Sequence, residues 1–178
     1  NNSWNDSSYV KSAGWPEVYI QSGFVEDFEN CNDGDSSGFF VSGALDLWKV
    51  DQINALGNNN GMATRPNQNV PGGLEEFLYF PRFIGFDTIA GAELRLVHDV
   101  DLGAGDVALI EFQGNGTWNT LGFWDPQNVV STNWYNTGTS SVGDAWAGAQ
   151  GQMSSAWPLS TWNFSAAPLI LRARLKTG

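Results

Sequence analysis

The chain has 178 residues, of which 42% are hydrophobic and 13% aromatic, and this suits a single folded domain with a full core. It carries 8 basic and 19 acidic residues, a net charge of -11, so no basic face is expected for displacing the counterions of nucleic-acid phosphates. The same charge disfavours anionic membranes, and no run is long and apolar enough to span a bilayer. We therefore expect neither a nucleic-acid partner nor insertion into a membrane.

The polar part of the composition comes from Asn, Ser, Thr, Gln and 21 glycines, because only 15% of the residues are charged. This mixture is typical of turn-rich β structure. The single cysteine, Cys31, excludes an internal disulfide. Low charge and 9 tryptophans favour an exported protein, so we expect a secreted or cell-surface location. The first residues do not have the pattern of a signal peptide, so we expect a mature form or an excised domain of a larger protein.

We expect residues 1–22 to form a polar lead-in or linker that packs on the domain. Residues 23–178 are expected to form one β-sandwich domain. Within the domain, short apolar or alternating runs are separated by turn formers at strand-like spacing. The segment 57–73, GNNNGMATRPNQNVPGG, predicts a loop. The predicted strand segments are GFVEDFE (23–29), GFFVSGALDLWKVDQI (38–53), FLYFPRFIGFD (77–87), AELRLVHDVDL (92–102), GDVALIEFQGNGTWNTLGFW (105–124) and PLILRARLK (168–176).

Two of these segments give the clearest strand pattern. In 92–102, Leu94, Leu96, His98 and Val100 fall on one face of an extended chain. In 105–124, the sequence GNGT supplies a hairpin turn between two strands. No long segment has clean helical periodicity, so we predict an all-β protein with an antiparallel β-sandwich. A jelly roll is the favoured version, because an early strand and the last strand would then pair.

A short acidic stretch raises the question of a metal site. Glu26, Asp27 and Glu29 lie close together in the first predicted strand, and calcium prefers six to eight oxygen ligands. Extended geometry places Asp27 and Glu29 on one face and Glu26 on the other. An EF-hand would need a glutamate at Ala44 and flanking helices, so that motif is rejected. Two hypotheses stay open, a calcium site beside the first strand and a solvated turn.

Catalytic residues are harder to find in the sequence. Cys31 and His98 occur once each, and His98 lies in an alternating strand where a packed imidazole is expected. Zinc needs more Cys and His ligands than the chain has. Adjacent Glu75 and Glu76 point to opposite faces of a strand, and Asp99, Asp101 and Asp106 flank a turn. We therefore expect no enzyme, with a β-sandwich glycosidase or lyase as the minority hypothesis.

Large rings crowd the last third of the chain between polar, glycine-rich segments. Sugars stack their C–H faces on flat rings, and Asn, Asp and Gln bond their hydroxyls, so this pattern suits a glycan-binding rim. We expect at least one exposed ring, with Trp134 and Tyr135 favoured and Trp124 next; the alternative is that the rings fill the core. The predicted ligand-binding residues are Trp124, Trp134, Tyr135, Asp125, Asn133 and Asn136.

The order of motifs along the chain resembles a known family. VEDFEN, SGALDLW, GNNNGMAT, LYFPRFIGFD, AELRLVHDVD, GDVALIEFQGNGTWNTLG, DAWAGAQG and PLILRARLK follow one another as in the cleaved-adhesin and MAM-like jelly-roll modules of secreted bacterial proteins. The resemblance covers roughly residues 24–176.

The resemblance implies a non-catalytic module with structural calcium. Its matching ligand positions are Glu26, Asp27, Glu29 and the loop 58–61, which includes Asn60. The closing strand of such modules often supplies a further acidic ligand, where this chain has arginines.

Together these patterns predict a secreted, calcium-stabilised binding module whose partner is a polysaccharide or cell-surface glycan. The alternative is an adhesin or protease accessory domain that binds protein or acts as a spacer.

Overall fold

The strand-forming runs of the sequence become strands, and the Gly, Asn and Pro segments between them become turns. The computed structural model describes residues 17–19, 26, 28, 38–43, 45, 47–55, 58–64, 70–84, 91–159 and 168–178. For 19, 49, 51–55 and 58–60 only the backbone is described. Throughout these ranges the regular structure is all-β, with predominantly antiparallel sheets, as predicted.

The described residues form strands with the following bounds. They are β1 (Glu17–Tyr19), β2 (Phe40–Gly43), β3 (Trp48–Ala55), β4 (Asn58–Thr64), β5 (Glu75–Tyr79), β6 (Arg82–Ile84), β7 (Glu93–Asp101), β8 (Val107–Gly114), β9 (Thr117–Thr120), β10 (Thr137–Ser140), β11 (Gly143–Ala147), β12 (Ala149–Pro158) and β13 (Leu171–Lys176).

A seven-stranded sheet has the order β10-β11-β8-β13-β5-β2, and β9 pairs with β8 off this path. The last strand, β13, lies between β5 and β8 and is antiparallel to both, with Arg172 opposite Tyr79 on one side and Glu111 on the other. Strands β10 and β2 are therefore at opposite ends of the path, and β10 lies next to the candidate site described below.

The other strands form three smaller pairings. Strands β7 and β12 pair over nearly their whole length, and β3 pairs with β4, both antiparallel. Strand β1 pairs in parallel with β6, and Glu17 forms an ion pair with Arg82 at 3.1 Å. This architecture is consistent with the predicted β-sandwich, and the jelly-roll connectivity stays a prediction.

The core lies between the inward side of the large sheet and side chains of other elements. Leu171 and Leu175 of β13 and Leu78 of β5 contribute from the large sheet. Val100 of β7 and Trp157 of β12 contribute from the β7–β12 pair. Burial of such large apolar side chains is the main favourable contribution to folding, about 1.5–3 kcal/mol for each fully buried side chain.

Two detailed predictions are confirmed. In β7 the side chains of Leu94, Leu96, His98 and Val100 are partly or fully buried, whereas those between them are exposed. Strands β8 and β9 form the predicted hairpin, in which Asn115 and Gly116 have φ of 52° and 77°. These left-handed conformations are those that a two-residue turn of Asn-Gly adopts.

Three expectations about the elements are wrong. Part of the predicted loop 57–73 is strand β4, because its backbone pairs with β3. The segment 38–53, expected to form one strand or a hairpin, contains two strands that do not pair with each other, since β2 pairs with β5 and β3 with β4. In the predicted strand 23–29, Glu26 and Phe28 are outside strands, and Phe28 has a left-handed φ of 58°. The other residues of 23–29, and most of the predicted lead-in 1–22, lie outside the described residues.

None of the described segments forms a helix long and apolar enough to cross a membrane.

Candidate ligand-binding site

The loop between β9 and β10, residues 121–136, exposes an unusual amount of apolar surface; we call it the binding loop. Its exposed side chains are Phe123 (44% exposed), Trp124 (41%), Val129 (75%) and Val130 (43%). Exposed large apolar side chains that are grouped in one loop of a folded domain often mark an interaction site.

Trp124 is held against the edge of the large sheet. Its backbone N–H donates to Oδ1 of Asp144 in β11, at 2.9 Å. A β-carbon added at Gly138 in β10 would lie 3.2 Å from Cε3 of the indole and 3.2 Å from Asp144 Oδ1. The glycine therefore leaves room for the ring to lie close to the strand backbone. The indole is consequently both exposed and fixed in position.

Asp125, a predicted ligand contact, organises the binding loop. Its Oδ2 accepts hydrogen bonds from the backbone N–H of Val130 at 2.7 Å and of Ser131 at 3.1 Å. Its backbone carbonyl accepts from Asn128 N–H at 3.0 Å. The hydrogen bond from Val130 is the main cause that lowers the pKa of Asp125 below its usual value, because it favours the ionised carboxylate.

The expectation that the rings of Trp134 and Tyr135 face solvent is wrong. Trp134 is 0% exposed and Tyr135 4% exposed, so neither ring can stack on a ligand. Asn133 and Tyr135 have left-handed φ of 47° and 57°, and the chain here turns the two rings into the core. The alternative that the rings fill the core is correct for these two, and also for Trp146 and Trp157.

Both buried rings have their polar atoms satisfied. Trp134 Nε1–H donates to the carbonyl of Leu121 at 2.8 Å. The Tyr135 hydroxyl accepts from Ile110 N–H at 3.1 Å and lies 2.8 Å from the Leu121 carbonyl. Burial raises the pKa of Tyr135 well above its usual value, so its hydroxyl stays protonated.

The two predicted asparagines differ in their surroundings. Both ends of the Asn136 amide bond Ala147 of β11, since Oδ1 accepts from its N–H and Nδ2 donates to its carbonyl, each at 2.8 Å. Asn133 is exposed, and its Nδ2 donates to the carbonyl of Ser154 at 3.2 Å. Asn136 therefore joins the binding loop to β11, whereas Asn133 joins it to β12.

A second cluster lies on the side of the large sheet opposite Leu171 and Leu175. The Arg172 guanidinium carbon lies 4.1 Å from the ring centres of both Phe77 and Trp118, and Arg172 Nε donates to Glu111 at 2.6 Å. Arg174 bridges Glu111 at 3.2 Å and Glu75 at 2.6 Å. Two arginines are thus paired with two glutamates, and the cluster has no net charge.

Of the other carboxylates considered for catalysis, Glu76 and Asp106 accept hydrogen bonds from backbone N–H groups, whereas Asp99 and Asp101 are exposed on β7. Glu76 is fully buried, and its two oxygens accept from the backbone N–H of Leu45 at 2.7 Å and of Leu47 at 3.2 Å. Glu75 is exposed, so the adjacent glutamates point to opposite faces, as predicted. Asp106 accepts from Gly178 N–H at 2.8 Å. Cys31 lies outside the described residues.

The predicted calcium site is described only in part. Glu26 Oε1 accepts from the N–H of Phe28 at 2.7 Å, and the backbone of Asn60 pairs with Gln52 within the β3–β4 ladder. Asp27 and Glu29 lie outside the described residues. Among the residues that are described, no group of three or more His, Cys, Asp or Glu side chains is placed to hold a metal ion. Calcium therefore stays a prediction.

Gly138, Asp144 and Phe123 belong to the site and were missed by the sequence prediction. A ring followed by Asp-Pro, as in Trp124-Asp125-Pro126, signals a turn that exposes its flanking side chains, and this part could be anticipated. Contacts of Trp124 with the β10–β11 hairpin depend on tertiary structure, and no local pattern reports them.

Comparison with known proteins finds no family model, no curated protein and no solved structure that matches this chain. The resemblance to cleaved-adhesin and MAM-like modules thus stays a prediction.

Proposed function

We propose that this chain is a non-catalytic binding module whose ligand is a carbohydrate stacked on Trp124. The observation that carries the proposal is an indole that is 41% exposed and yet fixed by Asp144 and Gly138. A fixed ring loses little conformational entropy when a ligand binds, so more of the stacking energy contributes to affinity.

A polar group suited to sugar hydroxyls lies beside the indole. Asp144 is partly exposed, and a β-carbon added at Gly138 would lie 3.2 Å from both its Oδ1 and the indole Cε3. A carboxylate accepts the hydrogen bonds that sugar hydroxyls donate. Phe123 adds a second exposed ring, which packs edge-on against Trp157 with ring centres 4.9 Å apart.

Binding without bond cleavage is supported by the state of three glutamates. A glycosidase needs two carboxyl groups that face the scissile bond. Glu75 and Glu111 are paired with arginines, and Glu76 bonds backbone amides. Composition supports a secreted or cell-surface location within a larger protein, and the acidic stretch supports structural calcium, as the family resemblance implies.

Affinity electrophoresis through gels that contain single polysaccharides tests the proposal. We expect retardation by at least one polysaccharide and a loss of affinity of roughly tenfold or more in Trp124→Ala, which is typical of a central aromatic anchor. Phe40→Ala is the matched control, because Phe40 is an exposed aromatic residue on β2, at the opposite end of the large sheet. Equal retardation of Trp124→Ala and wild type, or none by any polysaccharide or glycan array, would overturn the proposal.

A second candidate function is protein binding, as in an adhesin or protease accessory domain. The observation that favours it is the exposure of Val129 and Val130, because aliphatic side chains give sugars no flat stacking surface. In that case Val129→Ser with Val130→Ser should abolish partner binding, whereas sugar binding depends on Trp124.

A further inference from the structure

The charge around the binding loop has one sign only. From Phe112 to Leu171 the sequence contains no Lys, Arg or His, and its only charged residues are Asp125 and Asp144. This segment supplies the whole binding loop together with β10 and β11. The elements that build the candidate site therefore contribute two carboxylates and no cation.

Arginines elsewhere in the described chain are already engaged. Arg82 pairs with Glu17, Arg95 with Glu93, Arg172 with Glu111, and Arg174 with both Glu75 and Glu111. Recognition of carboxylate or sulfate groups in proteins relies on such guanidinium or ammonium donors. A ligand on Trp124 would find none of these arginines unpaired.

Asp144 places one of the two negative charges close to the indole. Its Oδ1 is 2.9 Å from the backbone nitrogen of Trp124. An acidic group on a stacked sugar would meet this carboxylate at short range, in the field of a chain with net charge -11. Exposed charges within about 8–10 Å interact at physiological ionic strength, so the repulsion acts on the bound ligand.

We infer that the site on Trp124 takes glycans without acidic groups and discriminates against uronic acid, carboxymethylated and sulfated polymers. The inference rests on the proposed function, since it names the ligand class of the same site. The specificity has its origin in charge, and Asp144 is a residue that determines it.

The test compares one polysaccharide backbone in uncharged and in acidic form. Suitable pairs for affinity electrophoresis are hydroxyethyl cellulose with carboxymethyl cellulose, and dextran with dextran sulfate, together with an uncharged galactomannan. We expect retardation that depends on Trp124 in an uncharged polymer and a clearly weaker effect in its acidic counterpart. Sodium chloride at high concentration should narrow the difference, because salt screens repulsion.

Asp144→Asn supplies the matched variant, because asparagine keeps an oxygen that can accept from Trp124 N–H. The variant should raise the ratio of retardation by the acidic polymer to retardation by the uncharged polymer roughly threefold, which is the Coulomb effect of one charge at short range. The inference would be overturned, and the proposed function would stand, if an acidic polymer retarded the protein through Trp124 as much as the uncharged form did, or more. An unchanged ratio in Asp144→Asn would also contradict it. If no polymer in any form gives retardation that depends on Trp124, the proposed function fails, and the inference fails with it.

Discussion

His98 makes the stability of this protein depend on pH in a window where carboxylates contribute little. It is the chain's only histidine. Its Nε2 lies 2.8 Å from Ser155 Oγ, and Ser155 donates its own hydroxyl proton to the carbonyl of Asn133 at 2.7 Å, so Nε2–H is the donor. Its buried Nδ1 has no hydrogen-bond partner among the described residues. Burial lowers the pKa of His98 from 6.5 to about 4.

The sign and size of the effect follow from linkage between protonation and folding. Between pH 6.5 and pH 4 the unfolded chain binds a proton at His98 that the folded chain does not, so stability falls as pH falls. With these pKa values, lowering the pH from 7 to 5 removes about 2 kcal/mol of unfolding free energy. Solvent screening of a partly buried ring reduces this, and we expect about 1–2 kcal/mol.

Urea unfolding of wild type and His98→Gln at pH 7, 6 and 5, followed by tryptophan fluorescence, measures the effect. Glutamine can donate to Ser155 Oγ but does not titrate, and the variant contains no other histidine. The difference in unfolding free energy between the two proteins should therefore change by about 1–2 kcal/mol from pH 7 to pH 5. The contributions of the carboxylates are the same in both proteins and cancel. Parallel pH dependence of the two proteins, or an imidazole that titrates near pH 6.5 by NMR, would refute this reasoning.

Three further outcomes are expected. Glu76→Ala should lower the unfolding free energy by about 2–4 kcal/mol in urea titrations, because it leaves two backbone N–H groups without their acceptor; Glu76→Gln, which keeps one acceptor oxygen, should lose less. Tyr135→Phe should cost about 1–2 kcal/mol in the same assay, because the N–H of Ile110 loses its hydroxyl acceptor; Phe40→Tyr, an exposed aromatic change, should leave stability nearly unchanged. If the predicted calcium site is present, EDTA should lower the melting temperature and calcium restore it, with a stabilisation of about 2.7 kcal/mol at a hundredfold excess over Kd; identical melting with and without EDTA would remove calcium from the proposal.

Local patterns predicted those parts of the fold in which neighbouring residues decide the structure. Alternation in β7 depends only on which side of one strand is buried. The β8–β9 turn depends only on the ease with which Asn115 and Gly116 adopt positive φ. Strand β4 was not predicted, because its Asn-rich sequence has a weak propensity for strands. Pairing with β3 stabilises the strand in spite of this weak propensity.

The sequence indicated which segment of the chain holds the candidate site, but not which of its rings are exposed. The sequence indicated a segment rich in rings and polar residues, and the binding loop lies there, with Trp124 exposed as one of the named rings. Which rings face inward was not predictable, because it depends on left-handed φ at Asn133 and Tyr135. Asparagine adopts such values readily, but a tyrosine in that conformation is uncommon and leaves no signal in the sequence.

The two buried rings expected to bind ligand instead support the ring that is exposed. Trp134 Nε1–H and the Tyr135 hydroxyl both lie 2.8 Å from the Leu121 carbonyl, three residues before Trp124. Gly122 has a φ of 83°, and a β-carbon there would be 2.5 Å from Trp134 Nε1, so the chain passes directly over the buried indole. The start of the binding loop is thus fixed by core aromatic residues, and Asp125 fixes its middle through Val130. An exposed aromatic side chain on a loop anchored at both points keeps one position, and this is the property that the proposed stacking on a sugar requires.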